Sequence, residues 1–143
     1  FEEQGIQGKI NLIERYLKEH LYKSDHTMDA QIAYAVNQIN AHEGKISISH
    51  LMNEVNLCQR HFERKFKLHT GFTPQKYNSI VRFKNAIKIL RNESSDNLLS
   101  VAVKAGYYDA SHLSREVKKL SGSTPNFFLS LPPDNETTII YTK

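Results

Sequence analysis

Pairs of basic side chains recur at two places in the sequence with the same spacing. Arg64 and Lys67 lie about one helical turn apart, and Arg115 and Lys118 repeat that spacing further along the chain. Arginine can donate two hydrogen bonds to guanine O6 and N7, and basic side chains also reach phosphate oxygens. The pattern therefore predicts two helices that each present a basic face to a polyanion.

The two basic pairs belong to an internal repeat. Residues 61–74 align with residues 112–125 at an offset of 51, and the residues just upstream align at an offset of 50. Asn56 and Gly106 fall in the turns, and both residue types tolerate a left-handed backbone. The identical pairs at the first offset are His61/His112, Arg64/Arg115, Lys67/Lys118, Gly71/Gly122, Thr73/Thr124 and Pro74/Pro125. The repeat therefore predicts two copies of a helix-turn-helix unit. The alternative is a two-repeat solenoid, but solenoids usually need three or more repeats to bury a core.

Apolar residues are spaced as in helices along most of the chain. Gly71 and Gly122 each end a predicted helix, and Pro74 and Pro125 each open the next. The predicted helices cover roughly 7–22, 28–42, 47–55, 58–69, 75–92, 98–105, 109–121 and 125–130. We therefore expect an all-α fold, in which two helix-turn-helix subdomains are joined by a long linker helix and preceded by an extra amphipathic helix.

Each second helix of the repeat has an apolar side and a polar side. Phe62 and Phe66 lie on one side of the first, and Leu113 and Val117 occupy the same side of the second. The predicted linker helix of about 17 residues spans ~26 Å. With the turns at its ends, it could hold the two polar faces about 34 Å apart, near one turn of B-DNA.

Positive charge is concentrated in the middle of the chain. Residues 1–44 carry 4 Lys/Arg and 7 Asp/Glu, residues 45–131 carry 14 and 6, and residues 132–143 carry 1 and 2. A net charge of +8 confined to the middle stretch is typical of a polyanion binder. Charge alone is equally compatible with a solvated basic surface, so the prediction of a polyanion binder depends mainly on the repeat.

The residues over about 46–130 resemble the AraC/XylS family of bacterial transcription regulators. The Gly-x-Thr-Pro-x-x-Tyr/Phe sequence that follows both units is the most specific part of the resemblance. The other matching residues are Ile48, Leu51, Val55, Leu57, Phe62, Arg64, Phe66, Lys67, Arg82 and Ala86, then Val101, Ala102, Ala105, Gly106, Tyr107, Ser111, Leu113, Arg115, Val117, Lys118 and Lys119. The resemblance implies seven helices in two subdomains, sequence-specific binding to double-stranded DNA, and activation or repression of transcription.

The resemblance also implies particular contact residues. In the first recognition helix Arg60, Glu63 and Arg64 would read bases, with Gln59 and Lys67 near the DNA backbone. The second recognition helix would use Ala110, Ser111, Ser114 and Arg115, with Lys118 near a phosphate.

Three residues depart from the family pattern at these helices. Cys58 stands where family members usually have a serine cap, Asn56 replaces the usual turn glycine, and Val117 replaces the usual phenylalanine. Ala110 offers no hydrogen bond to a base, although it can meet a thymine methyl group.

The predicted organisation is a connector helix at 1–27, an AraC-type DNA-binding domain at 28–131 and a tail at 132–143. By resemblance, the partners are promoter DNA, RNA polymerase and a separate sensing or dimerisation domain ahead of this chain, which the non-Met start also favours. We expect a cytoplasmic, nucleoid-associated activator without a cofactor. Because the two recognition faces differ, one monomer should cover one asymmetric site.

Other classes of function receive less support from the sequence. The seven histidines show no metal-ligand cluster, Cys58 and His61 lack the third group that a catalytic pair needs, and no phosphate-binding glycine loop occurs. No apolar run approaches the roughly 18 residues of a membrane span. A helical protein-interaction module stays open as the alternative, but such a module has no reason to repeat the Arg/Lys pairs.

Overall fold

The computed structural model describes residues 2–23, 28–92 and 97–132 of the 143-residue chain. Over these ranges the chain forms eight helices and no strand, which confirms the expected all-α class. The helices are α1 (Glu2–Lys23), α2 (Ala30–Ala41), α3 (Ile48–Glu54), α4 (Gln59–Thr70), α5 (Pro74–Asn92), α6 (Leu98–Ala105), α7 (Ala110–Ser121) and α8 (Pro125–Leu129). Most of the predicted tail at 132–143 lies outside the described residues.

Two separate hydrophobic cores divide helices α2–α8 into halves. The first half is α2–α4, and the second half is α5–α8. The buried residues of the first core are Ile32, Ala35, Ile39, Ile48, Leu51, Val55, Phe62 and Phe66. Those of the second core are Phe83, Ala86, Ile87, Leu90, Val101, Ala102, Ala105, Tyr107, Leu113 and Val117.

Helix α5 packs against both cores at different points along its length. Near its start, Tyr77 and Val81 pack against the first core. From Phe83 to Leu90 its buried side chains belong to the second core. The long linker helix that the sequence predicts is therefore also a structural element of the second half.

The side chains that α5 buries differ between its two ends. Tyr77, Ile80 and Val81 near its start are half-buried, whereas Phe83, Ala86, Ile87 and Leu90 further along are buried. The helix packs on two cores in turn, so the buried side differs between its two ends.

The internal repeat is longer than the sequence comparison indicated. At the same offset of 51, Ile32, Ala35 and Ile39 of α2 correspond to Phe83, Ala86 and Leu90 of α5, and all six are buried. Only the alanine is identical in the two copies, so residue identity did not reveal this part of the repeat. Each half is thus built on a corresponding three-helix unit, α2–α4 or α5–α7.

The turns within the two units have the predicted left-handed backbone. Asn56 has φ 52°, and Gly106 has φ 80°. The sequence therefore indicated correctly where each helix-turn-helix changes direction. Among the described residues, no helix is long and apolar enough to cross a membrane.

The first core depends on two aromatic side chains of α4. Phe62 and Phe66 are fully buried, and their rings meet edge to face with centroids 5.6 Å apart. Phe66 makes a second edge-to-face contact with Tyr77 of α5, also at 5.6 Å. Phe66 therefore connects α4 to the linker helix as well as filling the core.

Truncating this ring is expected to destabilise the protein strongly. Phe66→Ala should lower the free energy of unfolding by about 3–5 kcal/mol, because it removes buried area and leaves a cavity. Leu68→Ala is the matched control, since Leu68 on the same helix is 80% exposed and its loss should cost less than about 0.5 kcal/mol. Urea unfolding measures both, and a Phe66→Ala variant as stable as the control would contradict this packing.

Candidate nucleic-acid interface

Helix α4 presents the predicted polar side chains together on one side. Gln59, Arg60, Arg64 and Lys67 are exposed, and Glu63 between them is half-buried. With Thr73 they line one shallow open groove. The Nε2 of Gln59 donates to Oε1 of Glu63 at 2.9 Å, so these two side chains hold each other in place. Arg60 and Arg64 take no part in this hydrogen bond.

Helix α7 presents the corresponding face in the second half. Ser111, Arg115 and Lys118 are exposed, whereas Ala110 and Ser114 are half-buried. The Ser114 hydroxyl donates to the carbonyl of Ala110 at 2.8 Å, and Arg115 Nε donates to the carbonyl of Ser111 at 3.4 Å. The Ser114 hydroxyl must therefore release this carbonyl before it can donate to a ligand, although its oxygen can still accept. Nη1 and Nη2 of Arg115 take no part in the bond to Ser111.

Helices α4 and α7 begin differently. Asp109 precedes α7, and its carboxylate accepts a hydrogen bond from the backbone N–H of His112 at 2.6 Å. Cys58 occupies the equivalent position before α4 with the same extended backbone, but it makes no side-chain capping bond. The uncapped start that the serine-to-cysteine departure predicts is therefore present.

An inward-facing ion pair anchors α4 to α2. Lys65 Nζ lies 2.7 Å from Oδ2 of Asp29 and 3.4 Å from Oε1 of Gln31. The ammonium of Lys65 holds the pKa of Asp29 below its ordinary value. Because the folded-state pKa is the lower one, the pair stabilises the fold above the ordinary aspartate pKa, and that contribution is lost as the pH falls through the lowered value.

The corresponding position of α7 carries the opposite charge. Glu116 aligns with Lys65 at the offset of 51, and Arg82 aligns with Gln31. Arg82 Nη2 lies 3.0 Å from Oε2 of Glu116, and the hydroxyl of Ser79 donates to Oε1 of the same carboxylate. Sequence reasoning missed both anchors, because the paired residues differ in charge between the two copies.

Arg82 also packs over an aromatic ring in the second turn. Its guanidinium carbon lies 4.8 Å from the ring centroid of Tyr107, and the ring of His112 meets the same tyrosine edge to face at 5.2 Å. Burial raises the pKa of the Tyr107 phenol, and the carboxylate of Glu116 raises it further. The tyrosine is therefore neutral, and it holds the start of α7 against the linker helix.

The described part of the chain brings no three histidine, cysteine or acidic side chains together in a group that could hold a metal ion. Cys58 is exposed at the start of α4. The candidate site therefore consists of the polar faces of α4 and α7, together with the two ion pairs that hold these helices from behind.

Comparisons with known proteins identify the family. A family model described as a helix-turn-helix domain matches residues 51–130, which is more than half of the chain. The chain belongs to this family, and its two-unit arrangement is that of the AraC/XylS transcription regulators. The family is one of transcription regulators rather than enzymes.

Individual relatives and structures agree with this membership. The transcriptional activator RhaS of Escherichia fergusonii is 27% identical over 117 residues, which is 81% of this chain and 42% of the relative. RhaS of Pectobacterium atrosepticum is 29% identical over 86 residues, 60% of this chain and 30% of the relative. The chain thus spans less than half the length of these relatives.

Solved structures share the fold. The C-terminal domain of AraT, a response regulator from Geobacillus stearothermophilus, superposes with a TM-score of 0.68 at 18% identity, covering 78% of this chain and 93% of that one. The DNA-binding domain of AdpA, solved in complex with a target DNA, gives 0.65 at 21% identity, covering 71% and 92%.

Restoring a cap at the start of α4 should stabilise the protein. Cys58 already has the extended backbone of an N-cap residue. A serine hydroxyl there can accept from a free backbone N–H of the first turn, so Cys58→Ser should raise the free energy of unfolding by about 0.5–2 kcal/mol. Asp109→Ala, which removes the existing cap of α7, should lower it by a similar amount. Thermal or urea unfolding compares the two, and an unchanged stability of Cys58→Ser would contradict the capping argument.

Proposed function

We propose that this chain is the DNA-binding part of a transcription regulator and that α4 and α7 read two successive major grooves of one duplex. The observation that carries the proposal is the pair of matched basic faces. Arg64 and Lys67 on α4 correspond to Arg115 and Lys118 on α7, and all four side chains are exposed. An interaction surface for protein has no reason to repeat two cations at the same helical positions.

The length of α5 supports the use of both helices on one duplex. Its 19 residues make a helix about 28 Å long at ~1.5 Å per residue. Successive major grooves on one side of B-DNA are about 34 Å apart. The turns at the two ends of α5 supply the remaining distance.

The proposed roles of individual residues follow from their chemistry and exposure. Arg64 and Arg115 donate in pairs to guanine edges, and Lys67 and Lys118 meet phosphates. Arg60 and Glu63 complete the base-reading set of α4, with Gln59 near the DNA backbone. Ala110, Ser111 and Ser114 complete that of α7, where Ala110 supplies a methyl contact with thymine. The half-buried Ser114 can accept from a base as it stands, and it donates to one only after releasing the carbonyl of Ala110.

The wider role of the protein is proposed on the names of its relatives. RhaS is named a transcriptional activator, so we infer activation of a promoter, contact with RNA polymerase, and a cytoplasmic, nucleoid-associated protein. Those relatives are more than twice as long as the matched region. A sensing or dimerisation domain ahead of α1, with residues 1–27 as its connector to the DNA-binding domain at 28–131, accounts for the difference.

Substitutions at the two helix faces test the proposal. A duplex selected by this chain from a random pool supplies the target. Arg64→Ala and Arg115→Ala should each weaken binding to that duplex by about 1–3 kcal/mol and relax preference at one base pair, because each removes a base contact. Lys67→Ala is the control for charge, and it should weaken all sequences about equally.

The salt dependence of binding tests the phosphate contacts. Because several such contacts are proposed, the logarithm of affinity should fall with the logarithm of salt concentration with a slope of roughly −4 to −8.

Two results would contradict the proposed base reading. One is a selection that yields no preferred sequence, and the other is an Arg64→Ala variant that binds the selected duplex as tightly as the unaltered chain.

A further inference from the structure

The loop between α2 and α3 lies against the second half of the molecule. We call residues 43–46 the bridging loop. It begins at the C-terminal end of α2, where the N–H of Gly44 donates to the carbonyl of Ile39 at 2.9 Å. Through its side chains and backbone, it contacts both α5 and the end of α6. Neither the family resemblance nor the proposed base contacts account for this loop.

Gly44 makes the closest of these contacts. It is buried, with φ 74°, and its backbone lies directly against that of α5. A Cβ atom at this position would collide with the backbone nitrogen of Arg82 and the carbonyl oxygen of Asn78, and it would come within 2.8 Å of the Cα of Arg82. Helix backbone cannot move aside as a flexible side chain can, so only glycine permits this approach.

Lys45 continues the contact to the second helix-turn-helix. Its aliphatic chain covers Gly106, where an added Cβ would lie 2.9 Å from the Lys45 Cδ. Its ammonium donates to the carbonyl of Lys104 at 3.2 Å, near the C-terminal end of α6. A cation at that end of a helix also meets the negative end of the helix dipole. The first half thus reaches the turn that precedes α7.

Three further polar contacts surround the glycine. Oε2 of Glu43 accepts from Nζ of Lys45 at 2.7 Å and from Nδ2 of Asn85 on α5 at 3.2 Å. On the other side, Nδ2 of the buried Asn78 donates to the carbonyl of Ile46 at 3.3 Å. Every residue of the bridging loop therefore touches the second half.

The bridging loop and the α7 anchor meet at one residue. The backbone of Arg82 lies against Gly44, and its side chain pairs with Glu116 of α7 at 3.0 Å. A continuous chain of contacts therefore runs from the end of α2, through α5, to the second recognition helix. A rotation of one half about α5 would break this chain at Gly44 or at Lys45.

We propose that the bridging loop is a positioning device that fixes the angle between the two halves, and so the separation and relative rotation of α4 and α7. Its part in DNA recognition rests on the proposed function, whereas its part in holding the halves does not. The exposed ion pair of Glu43 and Lys45 contributes little by itself, since solvent screens exposed ion pairs. The close approach at Gly44 is the main constraint.

A matched pair of glycine variants separates this contact from ordinary backbone strain. Gly44→Ala introduces both a left-handed alanine and a collision with α5. Gly71→Ala introduces only the former, because Gly71 has φ 78° at the end of α4 and nothing lies within 4 Å of its Cβ position. Both variants should therefore lose stability, but only Gly44→Ala should release the two halves.

The angle between the halves is read with two spin labels. Cys58 at the start of α4 is exposed and is the only cysteine in the sequence, and Asn126→Cys on α8 gives the second site. Labels on this background should give one narrow distance distribution. Adding Gly71→Ala should leave it narrow, and adding Gly44→Ala should broaden or shift it. Equal distributions for the two variants would overturn the proposal, whether or not the chain binds DNA.

Lys45→Met provides a second route should Gly44→Ala fail to fold. Methionine keeps an aliphatic chain over Gly106 and removes the ammonium that reaches Lys104. We expect a smaller broadening of the same distribution with this variant. A distribution identical to that of the starting chain would count against the bridging loop.

Spacing of the DNA target provides the functional readout. One base pair inserted between the two base-read patches turns the second groove by about 34°. The unaltered chain should then lose about tenfold or more in affinity, which is the cost of losing a base contact. Gly44→Ala should lose less than threefold on the same insertion, while Gly71→Ala behaves like the unaltered chain. If Gly44→Ala discriminates between the two spacings as the unaltered chain does, the loop does not set the spacing.

Discussion

The packing of one helix into two cores is the constraint on which the rest of this structure depends. Tyr77 and Val81 of α5 pack against the first core, and Phe83 to Leu90 lie in the second. A rigid helix shared in this way transmits the position of one half to the other. Without it, α4 and α7 would be two separate helices with basic faces and no fixed position relative to each other.

Helices α4 and α7 are then each held from behind by a polar anchor. Lys65 pairs with Asp29, and Glu116, which occupies the position equivalent to Lys65 in the second copy, pairs with Arg82. The exposed side of each helix carries the matched Arg and Lys. Both copies thus anchor this helix at the same position, but with side chains of opposite charge. The exposed faces also differ in chemistry, because α4 carries arginines and a glutamate, whereas α7 carries small polar residues and one arginine.

The sequence was sufficient to predict the fold class, the order of the helices and the location of both candidate faces. Helical periodicity and the Gly-x-Thr-Pro stops are local signals, and a repeat of identical residues such as Arg64 and Arg115 needs no three-dimensional information. The inward contacts were not predictable in this way. Lys65 and Glu116 occupy one structural position with opposite charges, and the burial of Phe83 depends on where α5 passes from one core to the other.

Glycines show the same division between local and tertiary information. Gly71 and Gly122 end helices with nothing near their Cβ positions, so their role is local and visible in the sequence. Gly44 also ends a helix, but its lack of a side chain is required by the backbone of α5, 34 to 38 residues further along the chain. Only the three-dimensional arrangement reveals that second requirement.

Guanine-N7 methylation interference, on the duplex that this chain selects from a random pool, tests most directly whether one chain reads two successive grooves. We expect two patches of interference about one helical turn apart on one side of the duplex, with different sequences and no palindromic symmetry. Arg64→Ala should remove guanines from one patch, and Arg115→Ala should remove guanines from the other. A single patch, or two symmetric patches that both change in either variant, would contradict the reading of two successive grooves by one chain.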